Sequence, residues 1–367
     1  MIKNIEINNF RCFEKFKTSN FGRINLISGK NSVGKTALLE AIFLLAAPRP
    51  DTVMFLRQLR NEAADTSKSL PERTWINLFF NLDQKEIFIK SEIGENSHQE
   101  LTISVDESVK NFDSEYDESS DNSDIMDLFS KSSSVISVLH LNANFNEVNK
   151  EVNKFECLLI SSNKGILGRD RKTPNVKDVF FNPAFVRPRS RVVAEEFDKA
   201  FLNDNAGSSF LELIRTIDPE IIDARTIAIG EPTLHLQRKH QPRLPIEMFG
   251  DAITRVADIG LKIINNKNSI LLIDEIENGI HHANQVNFWN ALYKLAEKLD
   301  VQIFVTTHSL EMLQSFVKAA ENNGSKSASA MHFELVRNTT TGKIIAIKRT
   351  VDSLDYDITR AKEVRGS

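Results

Sequence analysis

Eight consecutive residues, Gly29-Lys30-Asn31-Ser32-Val33-Gly34-Lys35-Thr36, set two glycines, a lysine and a threonine at the spacing G-x-x-x-x-G-K-[ST]. That spacing suits the cradling of phosphates. The glycines let the backbone curl until its N–H groups point inward, and a following helix adds the positive potential of its N-terminus. In such a loop the Lys35 amine reaches the β- and γ-phosphates, and the Thr36 hydroxyl binds Mg²⁺. Gly29, Asn31, Ser32, Val33, Gly34, Lys35, Thr36 and Ala37 are therefore the candidate nucleotide contacts, with ATP and Mg²⁺ as the expected ligands.

A second group lies far along the chain. Ile270-Leu271-Leu272-Ile273 is an apolar run that ends in Asp274-Glu275. A buried parallel strand reads as continuous apolar residues, and its C-terminal end delivers carboxylates to a ligand crevice. Asp274 would hold the Mg²⁺, directly or through water, and Glu275 would polarise an attacking water as general base. A third run, Val301-Gln302-Ile303-Phe304-Val305-Thr306-Thr307, leads into His308-Ser309. A histidine at that strand end can donate a hydrogen bond to the γ-phosphate or to the attacking water. Lys35, Glu275 and His308 are the catalytic candidates.

These groups need strands and helices to hold them. Ile24 to Ser28 reads as a buried strand before the loop, and Ala37 to Leu45 as a helix after it. Residues 2–8 and 24–28 read as strands joined by a loop that holds Arg11. Residues 52–66 read as a helix, and 86–93 with 100–105 as a hairpin, since Ile87, Ile89, Ser91 and Ile93 alternate with polar residues. Asp106 to Asp127 is crowded with Asp, Glu, Ser and Asn and reads as a solvated acidic loop. Strands are expected at 135–141, 156–162, 221–229 and 233–238, an extended segment at Phe180 to Pro188, and helices at Val192 to Phe201 and Ser208 to Ile217. Ile246 to Ile264 reads as helical in its later part. No internal repeat and no long heptad stretch occurs, so no long coiled coil is expected.

The 367 residues are 41% hydrophobic and 26% charged with a net charge of −4. Nucleic-acid binding is not announced by that charge, though local patches exist. Arg187, Arg189 and Arg191 form one, and Arg238, Lys239, His240 and Arg243 another. Cys12 and Cys157 are far apart and show no metal-ligand spacing, which reads as reduced thiols and a cytoplasmic setting. The apolar run around Leu38 to Ala47 is short and carries Glu40, so no membrane span is expected.

Taken together, Asn9-Phe10-Arg11-Cys12-Phe13, the loop Gly29 to Thr36, Asp274-Glu275 and Thr306-Thr307-His308-Ser309 resemble the ABC-type ATPase heads of RecF, SMC and OLD proteins. The OLD-like AAA family ATPases of bacteria are the nearest in pattern. Asp274-Glu275-Ile276-Glu277-Asn278-Gly279-Ile280-His281 resembles their acidic strand with its trailing dimer-contact loop. Leu244 to Arg255 resembles their signature segment, and Glu363-Val364-Arg365 their usual ending. The likeness covers both ends of the chain well and residues 106–180 poorly.

The resemblance implies an α/β fold, a P-loop NTPase of ABC-ATPase-head type. Its mixed sheet would carry an antiparallel β subdomain and a helical insertion. Residues 1–105 and 245–367 would form a discontinuous head and 106–244 an insertion, the acidic loop followed by a mixed β and helical lid. Arg11 would contact the nucleotide near the adenine or phosphates. Gly250 and Asp251 would meet the γ-phosphate of a partner subunit, and Asn278 and His281 would lie in the loop crossing that interface. The signature departs from that of transporters and SMC heads, since Phe249 precedes Gly250 and Ala252 replaces the second glycine. Gln84 is the candidate for a glutamine loop. The implied assembly is a homodimer or higher homo-oligomer that binds ATP head-to-tail. Little chain follows His308, and Asp355 and Asp357 have too little around them for a nuclease fold. A separately encoded effector is the implied partner, a TOPRIM-type nuclease being the candidate, in phage defence or a toxin–antitoxin-like system. The alternative is a RecF-like DNA-binding ATPase of repair or recombination.

Overall fold

The computed structural model describes residues 1–62, 68–83, 86–94, 97–106, 137–147, 153–170, 178–183, 190–202, 206–324 and 330–360. Two sheets and a helix between them place the loop. The central sheet contains β3 (Ile24–Gly29), with every residue buried. Beside it lie β13 (Ile270–Ile273) and β14 (Gln302–Thr306), also buried throughout. Both faces of these strands are covered, which explains their unbroken apolar character. The order is β16-β15-β3-β14-β13-β9, with β9 at Val179–Asn182, β15 at Ala330–Arg337 and β16 at Ile344–Thr350. β15, β3, β14, β13 and β9 run parallel, and β16 is antiparallel to β15.

Strand periodicity splits the apolar side chains between two cores. Ile24, Leu26, Leu271, Ile273, Ile303 and Val305 face one core. There they meet α5 (Asp251–Asn265), α6 (His282–Lys298) and α7 (Leu310–Asn322). Ile27, Ile270, Leu272 and Phe304 face the other, which α1 (Lys35–Ala46) fills. On α1 Leu38, Leu39, Ala41, Ile42, Leu44 and Leu45 are all buried. A helix apolar on every side is one buried on every side. Its far side is covered by a seven-stranded antiparallel sheet in the order β2-β1-β4-β5-β6-β7-β8. Those strands are β1 (Asn4–Phe10), β2 (Phe13–Ser19), β4 (Ile87–Ile93), β5 (Ser97–Asp106), β6 (Ser137–Glu147), β7 (Asn153–Ser162) and β8 (Gly165–Asp170).

A third, three-stranded sheet comprises β10 (Ile221–Ile229), β11 (Glu231–Arg238) and β12 (Arg243–Pro245). It packs with α3 (Ser190–Phe201) and α4 (Ala206–Ile214) onto the helical side of the central sheet. The remaining helices are α2 (Pro50–Leu59) and α8 (Val351–Thr359). The longest described helix is α6, with 17 residues. No helix among the described residues is long and apolar enough to cross a membrane.

Several local expectations change. Residues 13–19 form a strand rather than part of a loop, so Arg11 and Cys12 occupy a two-residue turn between the paired Phe10 and Phe13. The helix expected over 52–66 is α2 at Pro50–Leu59. The sheets also cross the expected boundaries at 106 and 244. β5 pairs with β6 from Ser97–Glu147 to Asp106–Val138, β9 joins β13, and β12 pairs β11 through Leu244–Leu236. Gln84, most of the acidic stretch (107–127), Arg187, Arg189 and 363–365 lie outside the described residues.

Candidate active site

The phosphate loop leaves β3 at Gly29, whose φ is 143°. A Cβ there would stand 2.4 Å from the carbonyl oxygen of Leu335 in the neighbouring β15, so only glycine allows this pairing. Ser32 adopts φ 62° and Gly34 φ 92°. Cys12 Sγ would lie 2.6 Å from a Cβ at Gly34, which shows how closely the β1–β2 turn presses on the loop. Gly34 is the N-cap of α1 and contributes no side-chain cap, leaving first-turn N–H groups for a ligand. Val33 is buried in the core and does not line the cavity described below.

Lys35 lies folded back in the loop. Its Nζ donates to the carbonyl oxygens of Gly29 and Lys30, each at 2.8 Å, and stands 3.2 Å from Nδ1 of His308. Burial lowers its pKa to about 8, against the pull of Asp274, Glu275 and Glu277. Thr36 Oγ1 lies 3.2 and 3.0 Å from the two Asp274 carboxylate oxygens. Burial raises the Asp274 pKa, and hydrogen bonds from Thr306 and Thr36 oppose the rise.

Thr306, wholly buried in β14, ties the acidic pair together. Its hydroxyl donates to Asp274 Oδ1 at 2.6 Å and accepts from the Glu275 amide at 2.8 Å. Glu275 turns out of the strand with φ 49°. Asn278 Nδ2 donates to its Oε2 at 3.0 Å, and His308 Nε2 stands 3.4 Å from Oε1. The His308 backbone N–H donates to Glu277 Oε1 at 2.6 Å.

Lys35, Thr36, Asp274, Glu275 and His308 line one cavity of about 680 Å³ with Arg11 and the loop residues Asn31, Ser32, Gly34 and Ala37. That is room enough for a nucleotide. Arg11 and Arg60 both line the cavity: Arg11 Nε donates to Glu40 Oε2 at 2.9 Å, and Arg60 Nε to Glu40 Oε1 at 2.7 Å. Glu40 is fully buried, so the two arginines hold a carboxylate that water does not reach. Arg11 Nη1 also donates to the Asn77 carbonyl at 2.8 Å.

Six expected contacts, Gly29, Val33, Gly250, Asp251, Asn278 and His281, are not among the described residues that line the cavity, although Asn278 reaches the Glu275 carboxylate. Gly250, at φ 90°, is exposed at the N-terminus of α5. A Cβ on Gly279 would lie 3.5 Å from Ala252, so the signature segment and the trailing loop adjoin each other. His281 is exposed and caps α6, accepting from the Ala283 amide at 3.4 Å. The described basic residues of the second patch are partly committed within the chain. Arg238 pairs with Asp218 at 2.7 Å, and Arg243 pairs with Asp223.

Sequence reasoning passed over Thr306, Glu40 and Arg60. A threonine at the end of an apolar run and a glutamate inside an apolar helix were the available signals. Arg255 entered only as the end of the signature-like segment, with no role: its Nη2 donates to the carbonyl oxygens of Asp274 at 2.7 Å and Glu275 at 2.9 Å.

The strand order gives the fold its type. The phosphate-loop strand β3 is separated from the acidic strand β13 by the histidine strand β14, and an antiparallel sheet covers α1. This is the P-loop ABC-ATPase-like arrangement. Residues 24–313 match the family model described as "AAA domain, putative AbiEii toxin, Type IV TA system". A Helicobacter pylori protein named "ATP/GTP phosphatase" is 25% identical over 345 residues, covering 86% of this chain and 87% of its own. Among solved structures, an SMC head bound to the C-terminal winged-helix domain of ScpA is 12% identical with a TM-score of 0.49. It covers 96% of this chain and 98% of its own. The SMC head domain from Thermotoga maritima is 9% identical with a TM-score of 0.43, over 95% and 98%. Most of the chain lies within the matched span, and the chain belongs to this AAA-domain family of P-loop ATPases.

Proposed function

We propose that the chain is an ATP-driven switch. Two copies close head-to-tail over two nucleotides and reopen on hydrolysis. One observation carries this reading. Lys35, Thr36, Asp274, Glu275 and His308 line one cavity, whereas the exposed Gly250-Asp251 segment lies outside it. Each copy thus has a catalytic half-site and, elsewhere, a helix N-terminus suited to a phosphate.

Within the half-site, Lys35 exchanges its carbonyl partners for the β- and γ-phosphates. Arg11, held by Glu40, faces the remainder of the nucleotide. The Thr36 hydroxyl and Asp274 carboxylate, 3.0 Å apart, are the hard oxygen donors that suit Mg²⁺ with its waters retained. When bound, the ion neutralises phosphate charge. Glu275 takes a proton from the attacking water as the water oxygen bonds to the γ-phosphorus. The bond to the bridging oxygen breaks, leaving ADP and phosphate. His308 donates to the γ-phosphate or the water. The relative's name makes GTP a second substrate to test.

Closure that depends on the γ-phosphate suits control of another protein. Together with the toxin–antitoxin wording of the family, this supports a separately encoded effector as the partner and phage defence as the setting. The ion pairs of Arg238 and Arg243 speak against a broad DNA-binding face in that region.

Size-exclusion chromatography with light scattering on Glu275→Gln tests the switch. ATP with Mg²⁺ should convert monomer to dimer, ADP should not, and Gly250→Trp should abolish the conversion. An elution volume unchanged by ATP, with nucleotide demonstrably bound, would overturn the closing dimer.

A further inference from the structure

We infer that Arg255 is a positioning residue for Glu275, joining the signature helix α5 to the catalytic carboxylate of the same subunit. The inference rests on the reading of Glu275 as the base. It begins with a feature of the backbone. In an extended strand consecutive carbonyl groups point to opposite sides. Here the carbonyls of Asp274 and Glu275 converge on one nitrogen, Arg255 Nη2, at 2.7 and 2.9 Å. They converge where Glu275 departs from β geometry, with φ at 49°. A non-glycine residue seldom adopts that conformation unless its surroundings fix it.

Three contacts surround this turn. Thr306 Oγ1 accepts from the Glu275 amide on one side. Arg255 binds the carbonyls on the other. Asn278 Nδ2 then holds the carboxylate at Oε2. Arg255 is the one of the three that comes from α5, five residues after the exposed Gly250 at the helix start. The same loop is tied to the histidine strand, since Glu277 Oε1 accepts from the His308 amide at 2.6 Å. A displacement of α5 is therefore passed through Arg255 to the peptide that aims Glu275. A partner's triphosphate docking at the N-terminus of α5 is the event that would displace it. Occupancy of one site in this way sets the geometry of the other.

The guanidinium touches backbone oxygens rather than nucleotide, so its loss should change turnover more than binding. Arg255→Met keeps the stem and removes the donors. Arg255→Lys restores donors on a stem of similar length. Steady-state ATP hydrolysis, equilibrium binding of a fluorescent ATP analogue and a thermal melt are measured on both variants, on Glu275→Gln and on the Arg255→Met/Glu275→Gln double variant. The expected result for Arg255→Met is a kcat at least about 30-fold lower, with nucleotide affinity within about threefold of the original protein. Arg255→Lys should recover at least about one third of the lost rate. The double variant should turn over no more slowly than Glu275→Gln alone, since both changes remove the same function.

Turnover by Arg255→Met within about threefold of the original, with Glu275→Gln inactive, would overturn the role of Arg255 and leave the base assignment standing. Equal losses of affinity and turnover in both Arg255 variants would overturn it too, as the mark of a merely structural residue. Full activity of Glu275→Gln would remove the base assignment and this inference together.

Discussion

Lys35 and His308, 273 positions apart in the chain, meet at 3.2 Å between Nζ and Nδ1. An ammonium has only hydrogens to offer, so Nδ1 accepts and the ring proton lies on Nε2. That nitrogen stands 3.4 Å from Glu275 Oε1. The lysine thus fixes the tautomer in which His308 presents a donor toward the Glu275 carboxylate. In the proposed ATP-bound state, with Lys35 on phosphate, Nδ1 would lose this partner while Nε2–H keeps its own.

His308→Ala should accordingly lower kcat by about 100-fold, within the range for a displaced proton-handling group, and leave nucleotide affinity within about threefold. Single-turnover hydrolysis and equilibrium nucleotide binding check the two halves. A variant that binds poorly but turns over normally at saturation would place His308 in binding alone.

The lowered pKa of Lys35, about 8, sets a pH window. Between pH 8 and its ordinary value of 10.5 the unfolded chain holds this proton more tightly than the folded one. Burying the cation therefore destabilises the nucleotide-free protein fully below pH 8, and the penalty is relieved as pH rises through the window. Urea denaturation at pH 8 and pH 10 should show this gain, and Lys35→Met should lack it. Triphosphate binding calls for the charged form, so affinity should weaken above pH 8, by at most about tenfold per pH unit.

Thr306→Val keeps the shape of the side chain and removes both of its hydrogen bonds. Asp274 Oδ1 loses a donor at 2.6 Å, and the Glu275 amide loses its acceptor. The expected cost is about 2–4 kcal/mol by chemical denaturation, for two polar groups left in a buried site. The Mg²⁺ concentration for half-maximal hydrolysis should rise, because Asp274 then holds its charge less readily.

Glu40→Gln leaves Arg11 and Arg60 facing one neutral oxygen. Breaking a buried ion pair from one side costs about 3–5 kcal/mol. The lower end applies, since the Arg60 side chain is 41% exposed and keeps its water. Nucleotide affinity should fall alongside stability as Arg11 loses its 2.9 Å anchor. Arg60→Ala should lower stability less than Glu40→Gln.

Much of this architecture can be read from the chain because β3, β13 and β14 are buried on both faces and so are written as unbroken apolar runs. β2 is written differently. Phe13, Phe16 and Thr18 are buried while Glu14, Lys15 and Lys17 are exposed, and the two phenylalanines are three apart rather than two. Strand β8, for which the sequence carries no expectation, holds Gly165 and Gly168. A Cβ at Gly168 would stand 2.5 Å from Pro50, so this glycine marks a close approach. The cavity divides in the same way. Lys35, Thr36, Asp274 and Glu275 follow strands whose ends the sequence marks. Arg60 at the cavity, and Arg255 on the backbone of Asp274 and Glu275, arrive through the crossing of helices with those strands, a relation that no local spacing records.

The interleaved strand order has a consequence for biosynthesis. β3 lies between β14 and β15, so the first strand of the pocket is made long before either of its neighbours. A nascent chain released as far as residue 260 would expose both edges of β3, with the phosphate loop made but neither β14 nor β15 beside it. Contacts this distant in sequence form slowly. The ribosome thus delivers Asp274, Glu275 and His308 long after the phosphate loop, and the cavity they share has all its walls only once His308 has been made.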